Sequence, residues 1–344
     1  MAKERLKYID LLRVLAMISV LVCHYTRSLE YAGVGFVNKI LPDYVFNVYL
    51  GSFGVAIFFV LSGASLMYTY EGKFDIVKYI KKRFIGIFPM YWMAWIIAFL
   101  YLFYKNKVFD YTIPKAKILL TIFGMDGYAN WYGKNFYILG EWFLGCLLLL
   151  YILFPILKIG VEKWPIITAV VIVLIYFVGS YFYSGTIPTA NYFVFRIPEF
   201  IFGMYFVHYK WKVKWPVALA GVILLVCAAV FDLSMLPTLY KNSAVGILTV
   251  IVVAYISQFI KSELFFKVCS NIGKYAYAVF LTHHVVIQEL CYHFNGCTFG
   301  KIENYIMFAL CIFMVGVASK IMYNLNNTVT NAIHPVLFKK AGGN

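Results

Sequence analysis

The chain has 344 residues, of which 63% are hydrophobic and only 13% charged, with mean hydropathy +0.80. That composition excludes a soluble globular domain. Its long apolar runs lack the two-residue alternation of a membrane strand, which excludes a β-barrel. The net charge of +15 needs no nucleic-acid partner, because lysines beside apolar runs are how a membrane protein sets its orientation.

Apolar runs about 20 residues long predict an all-α polytopic membrane helical bundle of about ten transmembrane helices. In chain order they fall near 8–26, 45–70, 84–104, 137–157, 164–183, 192–208, 215–232, 243–260, 275–292 and 304–324. The apolar piece 116–126 is too short to span and is expected to lie in the interface or re-enter. With the N-terminus in the cytoplasm, 18 Lys and Arg fall on the inner side, Lys3, Arg5, Lys339 and Lys340 among them, against nine outside. Both termini are therefore expected in the cytoplasm, although 105–134 is basic for an outer loop. The first run spans, carries Asp10 and Arg13, and lacks a small-x-small cleavage pattern, so it reads as a retained helix rather than a cleaved signal. Residues 1–344 read as one membrane domain, with a core of about 8–324 and no soluble domain, in a plasma or inner membrane.

The first run holds the most informative side chains. At about 100° per residue, the eleven steps from Arg13 to His24 make three turns plus roughly 20°, so both project from one stripe, and Asp10 lies within roughly 60° of it. Charges in lipid are costly and normally face a bundle interior or wet cavity, which makes all three functional candidates. The bland alternative is an Asp10–Arg13 pair snorkelling at one interface with His24 at the other.

Only five of the 30 basic residues are Arg, and Arg13, Arg83 and Arg196 lie within or beside spans. A guanidinium offers a planar, permanently charged fork suited to phosphate or carboxylate. Arg13 and Arg83 are thus candidates to hold a phosphorylated ligand. The cluster Lys78, Lys81, Lys82 and Arg83 reads equally as a cytoplasmic anchor on anionic lipid. Arg196 and Glu199, spaced i, i+3, predict a buried ion pair. The seven cysteines show no metal-ligand spacing, and no metal is expected; a Cys291–Cys297 disulfide across the outer stretch between them is left open.

Five motifs stand in order along the chain: Ile9-Asp10 through Arg13 with His24; Gly54 through Phe58-Phe59 and Ser62-Gly63; Arg83 through Gly86, Pro89, Tyr91 and Trp92; Trp142-Phe143 through Tyr151 and Pro155; and Tyr275 through Leu281 and His283. Together they resemble membrane-bound acyltransferase family 3, the integral-membrane O-acyltransferases of surface glycans. The chain departs where the family usually has a second arginine three residues beyond Arg83. Here that position is Gly86, with Lys82 as a substitute. Ala56 replaces an Asp of the second motif, and the acidic form of the fourth is reduced to Glu141 beside Trp142.

The resemblance implies transfer of an acyl group, acetyl above all, from cytoplasmic acyl-CoA to a hydroxyl of an envelope or exported glycan. Acyl-CoA is then a co-substrate, with no cofactor bound permanently. Partners would be acyl-CoA, a glycan or glycolipid acceptor and the lipid bilayer; homodimerisation is left open. Eleven residues at 1.5 Å rise separate Arg13 from His24 by roughly 16 Å, comparable to an extended pantetheine arm. Arg13 and Arg83, with Lys82 and Ser62, would hold the donor. His24 would act as general base or carry the acyl group, with Asp10 orienting Arg13. Glu141 would orient His24 or bind acceptor, or else be an interfacial carboxylate. His283 and His284 point about 100° apart, so at most one should face a shared cavity, His283 by the motif. Tyr91, Trp92, Trp131, Tyr132 and Trp142 could stack on a sugar or serve as interface anchors. The competing reading is a flippase for a lipid-linked glycan with His24 as proton relay, and a third is a structural partner in an envelope-assembly complex.

Overall fold

The computed structural model describes residues 6–108 and 110–338, so Lys3, Arg5, Lys339 and Lys340 of the charge count lie outside the described residues. α1 (Lys7–Tyr31) is followed by β1 (Gly35–Phe36) and the hairpin β2 (Tyr44–Val45) and β3 (Val48–Tyr49), which leads into α2 (Leu50–Thr69). α3 (Ile76–Asn106) begins where the Asp75 side chain accepts the backbone N–H of Lys78 at 3.0 Å, a side-chain N-cap. That start is eight residues before the predicted span, so Lys78, Lys81 and Lys82 are helical. The short pieces α4 (Ile118–Ile122) and α5 (Asp126–Ala129) follow. They occupy and flank the stretch predicted to be too short to cross.

α6 (Glu141–Lys163) precedes α7 (Pro165–Leu174), which runs through a π-helical turn at Ile175–Gly179 into α8 (Ser180–Phe182). A 3-10 turn at Phe193–Arg196 opens α9 (Ile197–His208), and α10 (Trp215–Val230), α11 (Thr238–Ile256), α12 (Glu263–Gly273), α13 (Ala276–Tyr292), β4 (Thr298–Phe299) and α14 (Lys301–Phe338) complete the order. Each of the ten predicted runs is helical over most of its length. Among the described residues, seven helices are long and apolar enough to cross a bilayer, while α9, α10 and α13 are shorter. α12 corresponds to no predicted run. It is amphipathic, burying Phe266 and Cys269 while Leu264 and Val268 stay exposed, a pattern that a search for continuous apolar runs misses.

α1 and α2 are the inner helices: 61% and 67% of their apolar windows are buried, against 11% for the α7–α8 span. Exposed Ile166, Val170, Leu174 and Phe177 on the outer helices are the apolar surface that lipid requires. α2 meets α9 backbone to backbone. A Cβ on Gly63 would stand 1.8 Å from the Phe200 carbonyl oxygen, and one on Gly203 2.0 Å from that of Val60. Small residues permit this approach between membrane helices. Opposite the Arg13 end of the bundle, β1 pairs in parallel with β4, tying the loop after α1 to the loop before α14. Cys291 and Cys297 are both free thiols, the first buried and the second exposed.

Candidate active site

Two cavities lie end to end among α1, α2, α6 and α13. One, of about 650 Å³, is lined by His24, Arg27, Tyr49, Glu141, Trp142, His283 and His284. The other, of about 410 Å³, is lined by Arg13, Ser62, Arg83, Tyr151 and Lys274. Both are bordered by Phe58, Phe143, Ala276 and Phe280. The Phe143 and Phe280 ring centroids are 5.3 Å apart, those of Phe58 and Phe143 6.1 Å apart, so an aromatic layer separates the cavities. The stripe on α1 explains the arrangement: three helical turns put Arg13 in one cavity and His24 in the other.

In the larger cavity, His24 Nε2 is 3.4 Å from Glu141 Oε1, and His284 Nε2 is 3.8 Å from the same oxygen. The His24 ring is flanked by His283, centroid distance 4.8 Å, and by His284, 5.3 Å. The expectation that at most one of the adjacent histidines would reach a shared cavity is corrected. Their rings diverge from α13, but His24 enters from α1 between them, so both meet it. His283 is 1% exposed, and its Nδ1 lies 2.9 Å from the carbonyl oxygens of Val279 and Phe280. Carbonyls only accept, so in the neutral ring Nδ1 carries the proton and Nε2 is the free acceptor. That Nε2 is buried without a hydrogen-bond partner.

Glu141 owes its position to the chain before α6. Gly140 has φ +93° and Glu141 itself φ +38°, a left-handed conformation that a non-glycine residue adopts at a cost. α5 holds it there: a Cβ on Gly127 would be 2.4 Å from the Glu141 carbonyl oxygen. Asp126 secures α5, accepting from the Tyr91 hydroxyl at 3.1 Å and the Gly127 N–H at 2.9 Å, while Asn135 donates to the Asp126 carbonyl at 2.7 Å. Asp126 is 1% exposed, and burial pushes its carboxyl up to about 6. Tyr91 is fully buried in this assembly and borders neither cavity. The expectation that it stacks on substrate is therefore corrected: its hydroxyl is spent on Asp126 and its ring on the core. Trp142 does line the cavity, with the Arg196 guanidinium 5.9 Å from its ring. Arg196 makes the expected buried pair with Glu199 at 2.6 Å. Trp131 and Tyr132 lie on an exposed turn away from both cavities.

In the smaller cavity, Arg13 Nη1 stands 3.7 Å from Asp10 Oδ1, and the Arg83 guanidinium lies 5.8 and 6.0 Å from the rings of Tyr70 and Tyr151. Arg83 Nε is buried without a hydrogen-bond partner. The Ser62 hydroxyl donates to the Phe58 carbonyl at 2.7 Å, so its role is largely absorbed by its own helix. Lys82 is exposed and outside the lining. The expectation that it substitutes for a second arginine is corrected, because its position on α3 turns it about 100° from Arg83. Lys274 and Tyr151, which motif reading passed over as ligands, are there instead.

His24, Glu141 and His283 also offer ligand atoms that all lie within 4.8 Å of one another. Two imidazoles and a carboxylate are a donor set a divalent cation accepts, and a ring N–H held by carbonyls is the usual support of a ligating histidine. The same atoms equally make a base and its orienting groups.

Fold and site together define a multi-pass membrane protein that carries its reactive side chains inside the helix bundle. The chain belongs to acyltransferase family 3: the family's acyltransferase domain matches residues 6–319. It is a membrane acyltransferase. No curated protein and no solved structure shows significant similarity to it.

Proposed function

We propose that this protein moves an acyl group, acetyl in the first instance, from acyl-CoA in the Arg13 cavity to a hydroxyl of an envelope or exported glycan in the His24 cavity. The observation that carries this reading is the placement of a basic recess and a His–Glu pair on either side of one aromatic layer. The nucleotide phosphates sit with Arg13 and Arg83 on the cytoplasmic side. The pantetheine arm passes between Phe58, Phe143 and Phe280, and delivers the thioester beside His24. Glu141 accepts the Nε2–H of His24, fixing the tautomer whose Nδ1 is the base, and stabilises the imidazolium that forms.

His24 takes the acceptor's hydroxyl proton as the oxygen attacks the thioester carbon. A C–O bond forms, the C–S bond breaks, and the departing thiolate takes the proton back from the imidazolium. Trp142 supplies an aromatic face for a sugar ring, and Asp10 steers Arg13. The test is acyl transfer by purified protein from labelled acetyl-CoA. His24→Ala should lower turnover about a thousandfold, while the protein stays folded. Turnover untouched by that substitution removes His24 from the chemistry. A labelled enzyme that survives denaturation and loses its label with His24→Ala would assign the covalent variant, with acyl-His24 on the path. Movement of a lipid-linked glycan with no acylated product would favour the flippase reading.

A further inference from the structure

The smaller cavity gathers three cations from three places in the fold: Arg13 on α1, Arg83 on α3 and Lys274 at the α12–α13 junction. Among the described residues, no carboxylate lines it. Asp10, outside the lining, offsets Arg13 at 3.7 Å, so the three cations together keep a net positive charge that favours an anion in the cavity, and the buried Nε of Arg83 lacks a hydrogen-bond partner. The three are not equivalent. Arg13 and Arg83 are partly buried, whereas Lys274 is exposed. Lys274 therefore stands at the mouth and the arginines stand further in. Gly86 shares that mouth, with nothing within 4 Å of a Cβ added to it. Gly273, beside Lys274, lets the Arg13 side chain lie against the junction, since a Cβ there would be 3.3 Å from Arg13 Cδ.

On the reading of this cavity as the acyl-CoA site, we propose that Lys274 is a donor-binding residue that selects for the ribose 3′-phosphate, the two arginines taking the pyrophosphate. In an acyl-CoA threaded thioester first, the pyrophosphate lies nearer the thioester than the 3′-phosphate does. The outermost cation therefore meets the outermost phosphate. A compact ammonium at an open mouth suits a terminal phosphate, and guanidinium forks suit the bridged pair.

The experiment compares kcat/KM for acetyl-CoA and for its 3′-dephospho analogue in wild type, Lys274→Ala and the double variant Lys274→Ala/Gly86→Lys. The proteins are assayed in vesicles of phosphatidylcholine alone and in vesicles containing phosphatidylglycerol. Wild type should prefer the 3′-phosphorylated donor about tenfold. Lys274→Ala should bring that ratio near one, and a lysine at position 86 should restore part of it, because the side chain has open space toward the same mouth. A ratio unchanged by Lys274→Ala overturns the proposal. So does an effect that appears only in phosphatidylglycerol vesicles and is equal for both donors, which would assign Lys274 to a lipid phosphate. Absence of turnover with either thioester in wild type would instead sink the acyl-CoA reading, and a binding assay with adenosine 3′,5′-bisphosphate would still decide Lys274: unchanged affinity in Lys274→Ala overturns its role.

Discussion

Gly127 packs so closely on Glu141 that a Cβ on the glycine would lie 2.4 Å from the glutamate's carbonyl oxygen. A four-residue helix in the segment before α6 thus sets the position of the carboxylate that faces His24 at 3.4 Å. Gly127→Ala must push α5 away from the start of α6 and carry the carboxylate with it. Misplacement by about 1 Å can cost on the order of a hundredfold in rate. The expected outcome is a fall in kcat of that order with the helical content unchanged by circular dichroism. A variant with wild-type kcat would show that Glu141 does not need this contact.

Asp126, outside the membrane-spanning helices, links α5 to Tyr91. Burial raises its carboxyl from the ordinary 3.8 to about 6, so the folded state holds the proton more tightly than the unfolded chain does. The stability from that proton is fully present below pH 3.8, declines between 3.8 and 6, and is lost above about 6. Two units correspond to about 3 kcal/mol. Asp126→Asn removes the titration, so the thermal midpoint of wild type relative to this variant should fall by a few °C as pH rises from 4 to 6.5. A difference that stays flat or rises over that window would contradict the assignment.

The aromatic layer should keep water and overlong acyl chains apart from the reacting thioester. Phe280→Ala opens it between Phe143 and Phe58. Release of free CoA thiol in the absence of acceptor should rise several-fold, and acyl groups longer than acetyl should become better donors. If neither hydrolysis nor chain-length preference moves, the thioester does not cross this layer.

The His24, Glu141 and His283 donor set distinguishes two chemistries by a simple treatment. With His24 as base, dialysis against a strong chelator should leave turnover within about twofold of the untreated enzyme. Loss of activity restored by added Zn2+ would turn the trio into a metal site and make a bound water the base.

The helical bundle was legible because lipid enforces it: each apolar run of sufficient length must satisfy its backbone internally, and a helix does so alone. The helices α9, α10 and α13 blur the count, since at 12, 16 and 17 residues each is shorter than the roughly 20 residues that cross a bilayer upright. Asp10, Arg13 and His24 stood out because a charge in an apolar run has few inexpensive reasons to be there. Tyr91 misled for the opposite reason: an aromatic residue is inexpensive anywhere in a membrane protein, so its type says nothing about whether it faces substrate or core.

By itself the sequence determined the class of protein, the stripe on α1 and the separation of its two ends, all consequences of helical periodicity within one segment. Only the tertiary structure decided which groups from other segments meet that stripe. Glu141, His283 and His284 reach His24, Lys274 replaces Lys82 at the basic end, and three phenylalanines part the two cavities. Those meetings depend on crossing angles, a positive-φ turn at Gly140–Glu141 and the close approach of Gly127. Such contacts join residues far apart in the chain, and periodicity along one helix carries no information about them.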